Sequence, residues 1–252
     1  MTAPDDTPAP QQGREPIFLV PGVIAALLGV MWAVHAASTW LLDIGGTIWL
    51  WEWFGFVPFR LTDPQGIPGG ALPMLWTLFT HAFLHADWMH LIFNSAWLAI
   101  FGTPVARRYG TGRVLAVFLL GAAAGALVML ASLLAGSAQF TVLIGASGGV
   151  SALTGAAMRF VFQPVVVVHD PQTGTPIAAG RRTATLAQVW ANGSSRAFVL
   201  IWLGLNLVIP FAPLVTGGEP LPIAWQAHIG GFIAGLLLPS LFDASLARRR
   251  AA

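Results

Sequence analysis

Six long apolar segments, separated by polar connections, constrain this chain more than any other feature of its sequence. They cover approximately residues 17–42, 81–102, 114–135, 147–161, 197–213 and 224–241. A helix rises ~1.5 Å per residue, so about 20 apolar residues cross a hydrocarbon core of ~30 Å. Only 9% of the 252 residues are charged, against about 25% in a soluble domain. The sequence therefore predicts an all-α polytopic membrane protein with six transmembrane helices.

Arginine supplies all 12 basic residues, and its distribution predicts the orientation of the chain in the membrane. In a six-span arrangement Arg60 falls on the outer side, and every other arginine falls on the inner side. Short cytoplasmic loops carry an excess of basic residues, so both termini are predicted to be cytoplasmic. A nucleic-acid site would need these arginines clustered on one exposed face, whereas they are spread among the connections. No nucleic-acid partner is therefore expected.

The connections divide the chain into a membrane domain with two polar tails. Residues 1–16 are rich in proline and polar side chains, which predicts a disordered cytoplasmic tail. Residues 17–243 form the six-span domain, and 244–252 form a basic cytoplasmic tail. The cytoplasmic loop at 163–195, between spans four and five, contains a valine run and a turn sequence that predict a small β-hairpin.

The first outer loop, about 39–75, is rich in tryptophan and phenylalanine and poor in charge. Aromatic side chains favour the headgroup level of a bilayer. We therefore expect this loop to lie in the outer membrane interface.

Ser147 lies between Gly145 and Gly148, where a loop leads into a short apolar helix that ends near Arg159. The helix covers only about 18 Å, so Ser147 is expected about 10 Å below the outer surface if Arg159 marks the inner one. A polar residue at that depth normally faces the protein interior or a water-filled cavity. The alternative is that Ser147 is one of several small residues that let helices pack closely.

Three other polar residues are predicted at the same depth. His90 and Asn94 are four residues apart and share a helix face. His228 lies one turn before Gly231, and Gly235 follows one turn later. Counting helical rise places His90 and His228 about 21–22 Å from the inner surface. A serine, a histidine that can act as its base, and oxyanion donors are the minimum set for nucleophilic acyl transfer.

Three motifs carry a family resemblance: GASGG around the serine, HAFLHADWMHLIFN in the second span and AHIGGFIAG in the last. Together they resemble the rhomboid family of intramembrane serine proteases. The resemblance implies a six-helix rhomboid-like bundle and a Ser147–His228 catalytic dyad without an acidic third member. It implies an oxyanion site formed by His90, Asn94 and the Ser147 backbone N–H. It also implies no metal and no cofactor.

The same resemblance implies a substrate and a location. Rhomboids cleave single-span membrane proteins near their outer ends within the lipid bilayer, so this chain is expected in the membrane, here the bacterial cytoplasmic membrane. Gly145, Gly148, Gly231 and Gly235 are expected to allow close helix packing around the site. The oligomeric state is not predicted by any of these features.

Two positions depart from the family pattern. Rhomboids often carry an aromatic residue four positions after the nucleophile, packed on the catalytic histidine, and here that position is Ser151. We expect water or the Ser151 hydroxyl to fill the space, so that His228 is held less rigidly. The outer-loop signature is usually Trp-Arg and here is Trp76-Thr77, which leaves the anchoring of that loop unassigned.

Two alternatives remain at this stage. His81 and His85 form an H-x-x-x-H pair that could bind a metal, although a zincin motif also needs a glutamate between them; we expect both rings to hydrogen-bond loop backbone instead. The second alternative is a non-catalytic rhomboid-like protein that binds membrane segments without cutting them.

Asp87 is expected to cap a helix rather than to orient the histidine base.

Overall fold

The computed structural model describes residues 20–136, 142–218, 221 and 223–251. The tail expected at 1–16 lies outside this part of the chain. The described residues form nine α-helices and one β-hairpin: α1 (Gly22–Leu41), α2 (Ile44–Phe54), α3 (Met74–Thr80), α4 (Trp88–Trp97), α5 (Thr103–Leu134), α6 (Ser147–Met158), β1 (Val165–His169), β2 (Pro176–Arg181), α7 (Leu186–Ala191), α8 (Gly193–Val208) and α9 (Trp225–Ala251).

Four helical stretches in the described residues are long and apolar enough to cross a membrane. They are Gly22–Leu41, Trp88–Leu134, Gly193–Val215 and Trp225–Asp243. The 47-residue stretch Trp88–Leu134 contains two of the predicted spans, which meet at Gly110 with a non-helical φ of 77°. The central helix α6 has only 12 residues. Helix length thus supports a mostly helical integral membrane protein, whereas it does not by itself separate six spans.

The second predicted span begins later than the apolar pattern indicated. Residues His81–Phe83 form a short 3₁₀ helix, and α4 begins only at Trp88. The Asp87 carboxylate accepts a hydrogen bond of 2.8 Å from the His90 backbone N–H. The expected capping role of Asp87 is therefore confirmed, and the helix starts after it because a capped N-terminus is non-helical at the cap.

The protein core surrounds α6, which is buried from Gly148 to Met158. Leu153 of this helix shares one hydrophobic cluster with Phe118 of α5 and Ile24 of α1. A helix buried on every side can be short because neighbouring protein, rather than lipid, covers it. Ser147 is consequently carried by the most enclosed element of the fold.

Glycines let α6 and α9 touch backbone to backbone, as the Gly231/Gly235 spacing predicted. A Cβ atom added at Gly231 would overlap the Gly148 carbonyl oxygen, and one added at Gly235 would overlap the Ala152 carbonyl oxygen. At these two positions the contact leaves no room for a side chain. They fix the start of α6 next to the turn of α9 that carries His228.

A buried arginine holds the outer loop. Arg60 is fully buried, and its Nη1 donates to the carbonyl oxygens of Pro68 and Gly70, each at 2.6 Å. Its Nη2 donates to the Glu52 carbonyl oxygen at 2.6 Å. Burial lowers the pKa of Arg60, and the Glu52 carboxylate opposes that shift; the guanidinium nevertheless stays charged at neutral pH. Arg60 therefore supplies the loop anchor that Thr77 cannot provide.

We expect Arg60→Met to lower the free energy of unfolding by about 2–4 kcal/mol, because three carbonyl groups in part-buried hydrogen bonds lose their charged donors while the chain keeps a side chain of similar length. Unfolding of the purified protein in detergent, followed by near-ultraviolet circular dichroism, measures the change. Arg196→Met is the matched control, since Arg196 is exposed. Equal unfolding midpoints for the two variants would contradict this role.

The outer loop is also tied to the chain just before Ser147. Phe56 and Leu143 form an antiparallel bridge, with N–H to carbonyl distances of 2.9 and 2.7 Å. The indole N–H of Trp76 donates to the Trp53 carbonyl oxygen at 2.7 Å. The loop therefore packs over the segment that leads into α6.

The connection between α6 and α7 contains the predicted hairpin. Strands β1 and β2 pair antiparallel, and the Asp170 carboxylate accepts hydrogen bonds from the N–H groups of Gln172 and Thr173 in the connecting turn. His169, the last residue of β1, is exposed. The hairpin prediction is confirmed.

Arg159, at the end of α6, is buried rather than solvated. It donates to the carbonyl oxygens of Ala184 and Leu236 and, at 3.0 Å, to the Ser240 hydroxyl. These hydrogen bonds join α6 to α9 and to the segment between β2 and α7 that contains Ala184. Helix α9 itself continues to Ala251, beyond residue 243, where the sequence placed the end of the membrane domain.

Candidate active site

A cavity of about 830 Å³ opens among α4, α6, α8 and the start of α9. Ser147, His228, His90 and Asn94 all line it. The structure thus brings together the four polar residues that the sequence placed at one depth. Their chemical roles remain predictions.

Ser147 is the first residue of α6 and is reached through a sharp bend at Gly145, whose φ is +117°. A Cβ atom at Gly145 would lie 2.6 Å from His90 Nε2, so both the backbone angle and the available space require glycine here. The Gly145 N–H donates to the His81 carbonyl oxygen at 2.9 Å. The bend thus holds Gly145 beside His90 and leads directly to Ser147, which lines the cavity.

The helix that carries His90 and Asn94 presents both as possible donors. The Ala86 N–H points at His90 Nδ1 across 3.4 Å, which favours the tautomer with its proton on Nε2, the atom nearest Gly145. The Asn94 Nδ2 donates one hydrogen to the His90 carbonyl oxygen at 2.9 Å. An amide nitrogen carries two hydrogens, so one remains for a ligand in the cavity.

The sequence analysis missed Asn206 of α8. Its Oδ1 lies 2.6 Å from His228 Nδ1, and its Nδ2 donates to the Trp202 carbonyl oxygen at 2.8 Å. A signal was available, because an asparagine inside the apolar segment 197–213 is a polar residue at membrane depth and deserved the same scrutiny as Ser147. The hydrogen bond contradicts the expectation that His228 is held loosely.

Aromatic rings lie near Ser151, the position where the rhomboid pattern often has an aromatic residue packed on the histidine. Ser151 is buried and lines the cavity together with Trp202, and the Trp202 ring stacks on Phe232 of α9 with centroids 4.3 Å apart. The aromatic packing next to the histidine turn therefore comes from α8 and α9. The sequence instead predicts that water or the Ser151 hydroxyl fills the space beside His228.

His81 and His85 differ in their surroundings. The His81 Nδ1 lies 2.7 Å from the Thr77 carbonyl oxygen, which confirms its expected bond to loop backbone. The His85 ring instead contacts the rings of His35 and His90, with centroids 6.4 and 5.1 Å away. Within the described ranges, no group of three or more metal-ligating side chains has the geometry to hold a metal ion.

The arrangement suits attack of a serine hydroxyl on a carbonyl carbon. The hydroxyl, an imidazole and several N–H donors share a cavity enclosed by apolar side chains, where electrostatic interactions are stronger than in water. These are the groups that nucleophilic acyl transfer requires.

Comparison with known proteins gives a consistent result. The family model described as "Rhomboid domain" matches residues 72–243. Proteins named "Rhomboid protease GlpG" from Salmonella paratyphi A, Salmonella newport and Salmonella heidelberg are each 27% identical over 176 residues. Each match covers 70% of this chain and 51% of the relative, so the chain spans about half the length of the curated relatives it matches.

Proposed function

Because the chain belongs to the rhomboid family, we propose that it is an intramembrane serine endopeptidase that uses Ser147 as nucleophile and His228 as general base. The observation that carries this proposal is the convergence of Ser147, His228, His90 and Asn94 on one cavity. We propose further that the domain crosses the membrane six times, with both termini cytoplasmic. The arginine distribution supports that orientation.

The reaction follows from the groups in the cavity. His228 Nε2 takes the proton of the Ser147 hydroxyl as Oγ bonds to the scissile carbonyl carbon. The resulting oxyanion accepts hydrogen bonds from Asn94 Nδ2, His90 Nε2 and the Ser147 backbone N–H. The C–N bond then breaks, and His228 returns the proton to the leaving amine. Water hydrolyses the acyl-enzyme by the same steps.

We propose that substrates are single-span membrane proteins that enter sideways from the lipid, between α4 and α8. Apolar side chains on the cavity edge support this route, because Phe93 is 62%, Trp97 41% and Leu205 51% exposed. All three line the cavity. A transmembrane segment could therefore approach Ser147 without passing through water.

A substrate helix must unwind locally before cleavage, because an intact helix hides its carbonyl groups in internal hydrogen bonds. We expect a segment with two Gly residues and Ala near its outer end to be cut at least tenfold faster than one with leucine at those positions, since each Gly weakens a helix by about 1 kcal/mol relative to Ala or Leu and tenfold corresponds to about 1.4 kcal/mol. Proteoliposomes containing the protein and each substrate measure the rates by gel. Equal rates would contradict the unwinding step.

The same assay tests the protease proposal against its alternative. A protein that only binds membrane segments would leave both substrates intact and would not react with a fluorophosphonate probe. A protease is expected to cleave the Gly/Ala substrate and to be labelled on Ser147. This alternative is not favoured, since the cavity retains both a serine and a histidine.

A further inference from the structure

We propose that Asn206 is a positioning residue that fixes the tautomer and orientation of His228 and so keeps the imidazole ready to accept the Ser147 proton. This inference rests on the proposed protease function. Asn206 lies on α8, outside the three motifs that carry the family resemblance. Asn206 makes one side-chain hydrogen bond with His228 and one with the Trp202 carbonyl oxygen.

The amide of Asn206 can face in only one direction. Its Nδ2 lies 2.8 Å from the Trp202 carbonyl oxygen, and a carbonyl oxygen can only accept. The nitrogen therefore faces Trp202, and the oxygen faces His228 Nδ1 at 2.6 Å. An amide oxygen also only accepts, so the proton must lie on Nδ1. A neutral imidazole carries one proton, which leaves the lone pair on Nε2.

A second contact holds the two helices in register. The Trp202 and Phe232 rings stack with an interplanar angle of 18°. Trp202 precedes Asn206 by four residues, and Phe232 follows His228 by four, so each pair lies on one helix face. The hydrogen bond and the ring stack therefore form on adjacent turns, and together they restrict rotation of α8 against α9.

The hydrogen bond also favours the reaction. When the Ser147 proton moves to Nε2, the imidazole becomes positively charged, and its Nδ1–H stays bonded to the Asn206 oxygen. The negative end of the amide dipole then stabilises the imidazolium. No proton passes to Asn206. An asparagine supports the histidine in the same manner in Cys–His–Asn proteases.

The tautomer of His228 can be measured without any substrate. The 252-residue chain, labelled with ¹⁵N in its histidine rings, is compared by NMR in detergent with Asn206→Leu, whose side chain has the same branched arrangement of heavy atoms but no acceptor. His228→Ala identifies the His228 signals, and Leu207→Ala is the control, since Leu207 is exposed on the same helix. We expect one Nδ1-protonated form in the parent and in Leu207→Ala, and a mixture of tautomers in Asn206→Leu. A parent ring protonated on Nε2, or an unchanged Asn206→Leu spectrum, overturns the inference.

Kinetics in proteoliposomes give the second measurement. Asn206→Leu is expected to lower kcat roughly ten- to hundredfold, the effect of losing one hydrogen bond to a group that becomes charged, with KM within about twofold. Asn206→Asp keeps an acceptor and should retain more turnover than Asn206→Leu; the reverse order would overturn the positioning role. If the parent cleaves and Asn206→Leu equals it, only this inference fails. If the parent does not cleave, the protease proposal fails, and the NMR result still decides the role of Asn206.

Discussion

Ser147→Ala is expected to abolish proteolysis, with a fall in kcat of roughly 10⁶-fold, as in other hydrolases whose serine and histidine act as a unit. The methyl group cannot form the acyl-enzyme, and Ser151, the other described serine that lines the cavity, is buried one turn further along α6. His228→Ala should cost nearly as much, because the hydroxyl then has no proton acceptor. The double variant should be no worse than either single one.

Cleavage of a single-span substrate in proteoliposomes measures this loss, and fluorophosphonate labelling reports the nucleophile separately. Ser194→Ala is the matched control, because Ser194 is exposed at the start of α8; it should keep the parent activity and labelling. Unchanged thermal unfolding shows that each variant is folded. A folded Ser147→Ala protein with turnover near the parent value would rule out the dyad.

That the site residues lie at a common level of the helices could be predicted from the sequence because helical rise is nearly constant. Counting residues from the arginine-rich side placed Ser147, His90 and His228 in one layer, and all three line one cavity. The Gly231/Gly235 pair similarly predicted where two helices touch, since only glycine leaves the necessary space. These features depend on spacing along single helices, which a sequence specifies directly.

The contacts between helices were harder to predict. The hydrogen bond from His228 to Asn206 depends on how α8 is rotated against α9, and an almost uniformly apolar helix gives no periodicity from which to derive that rotation. Arg60 was assigned only to a side of the membrane, although an arginine among aromatic residues needs hydrogen-bond acceptors. In both cases an isolated polar residue in apolar surroundings was the available signal.

The short helix α6 explains why its neighbours carry so many polar contacts. Its 12 residues are buried from Gly148 to Met158, so polar groups at its ends need partners from neighbouring elements. Just after the helix, Arg159 donates to the Ala184 carbonyl oxygen and to the Ser240 hydroxyl. Just before the helix, the Gly145 N–H donates to the His81 carbonyl oxygen. The satisfaction of buried polar groups thus ties both ends of α6 to the surrounding protein.

Asn94→Ala is expected to lower kcat by about 10²–10³-fold, the cost of one oxyanion donor, with little change in KM because the ground-state carbonyl gains less from the donor than the oxyanion does. Asn94→Asp has almost the same shape but presents an acceptor to a negative charge, so it should lose at least as much. Met89→Ala is the control on the same helix, since Met89 is exposed and does not line the cavity. Steady-state kinetics in proteoliposomes separate kcat from KM.

The size of the remaining activity distinguishes a donor from a reacting group. In Asn94→Ala, His90 Nε2 and the Ser147 backbone N–H still face the oxyanion, so cleavage should remain measurable and should exceed that of Ser147→Ala by about 10³–10⁴-fold. Fluorophosphonate labelling should slow but persist, because Ser147 and His228 are intact. If Asn94→Ala raised KM with kcat unchanged, Asn94 would bind substrate rather than the transition state. If Asn94→Asp cleaved as fast as the parent, the amide hydrogen would have no role, and the oxyanion site would have to be formed by His90 and the backbone alone.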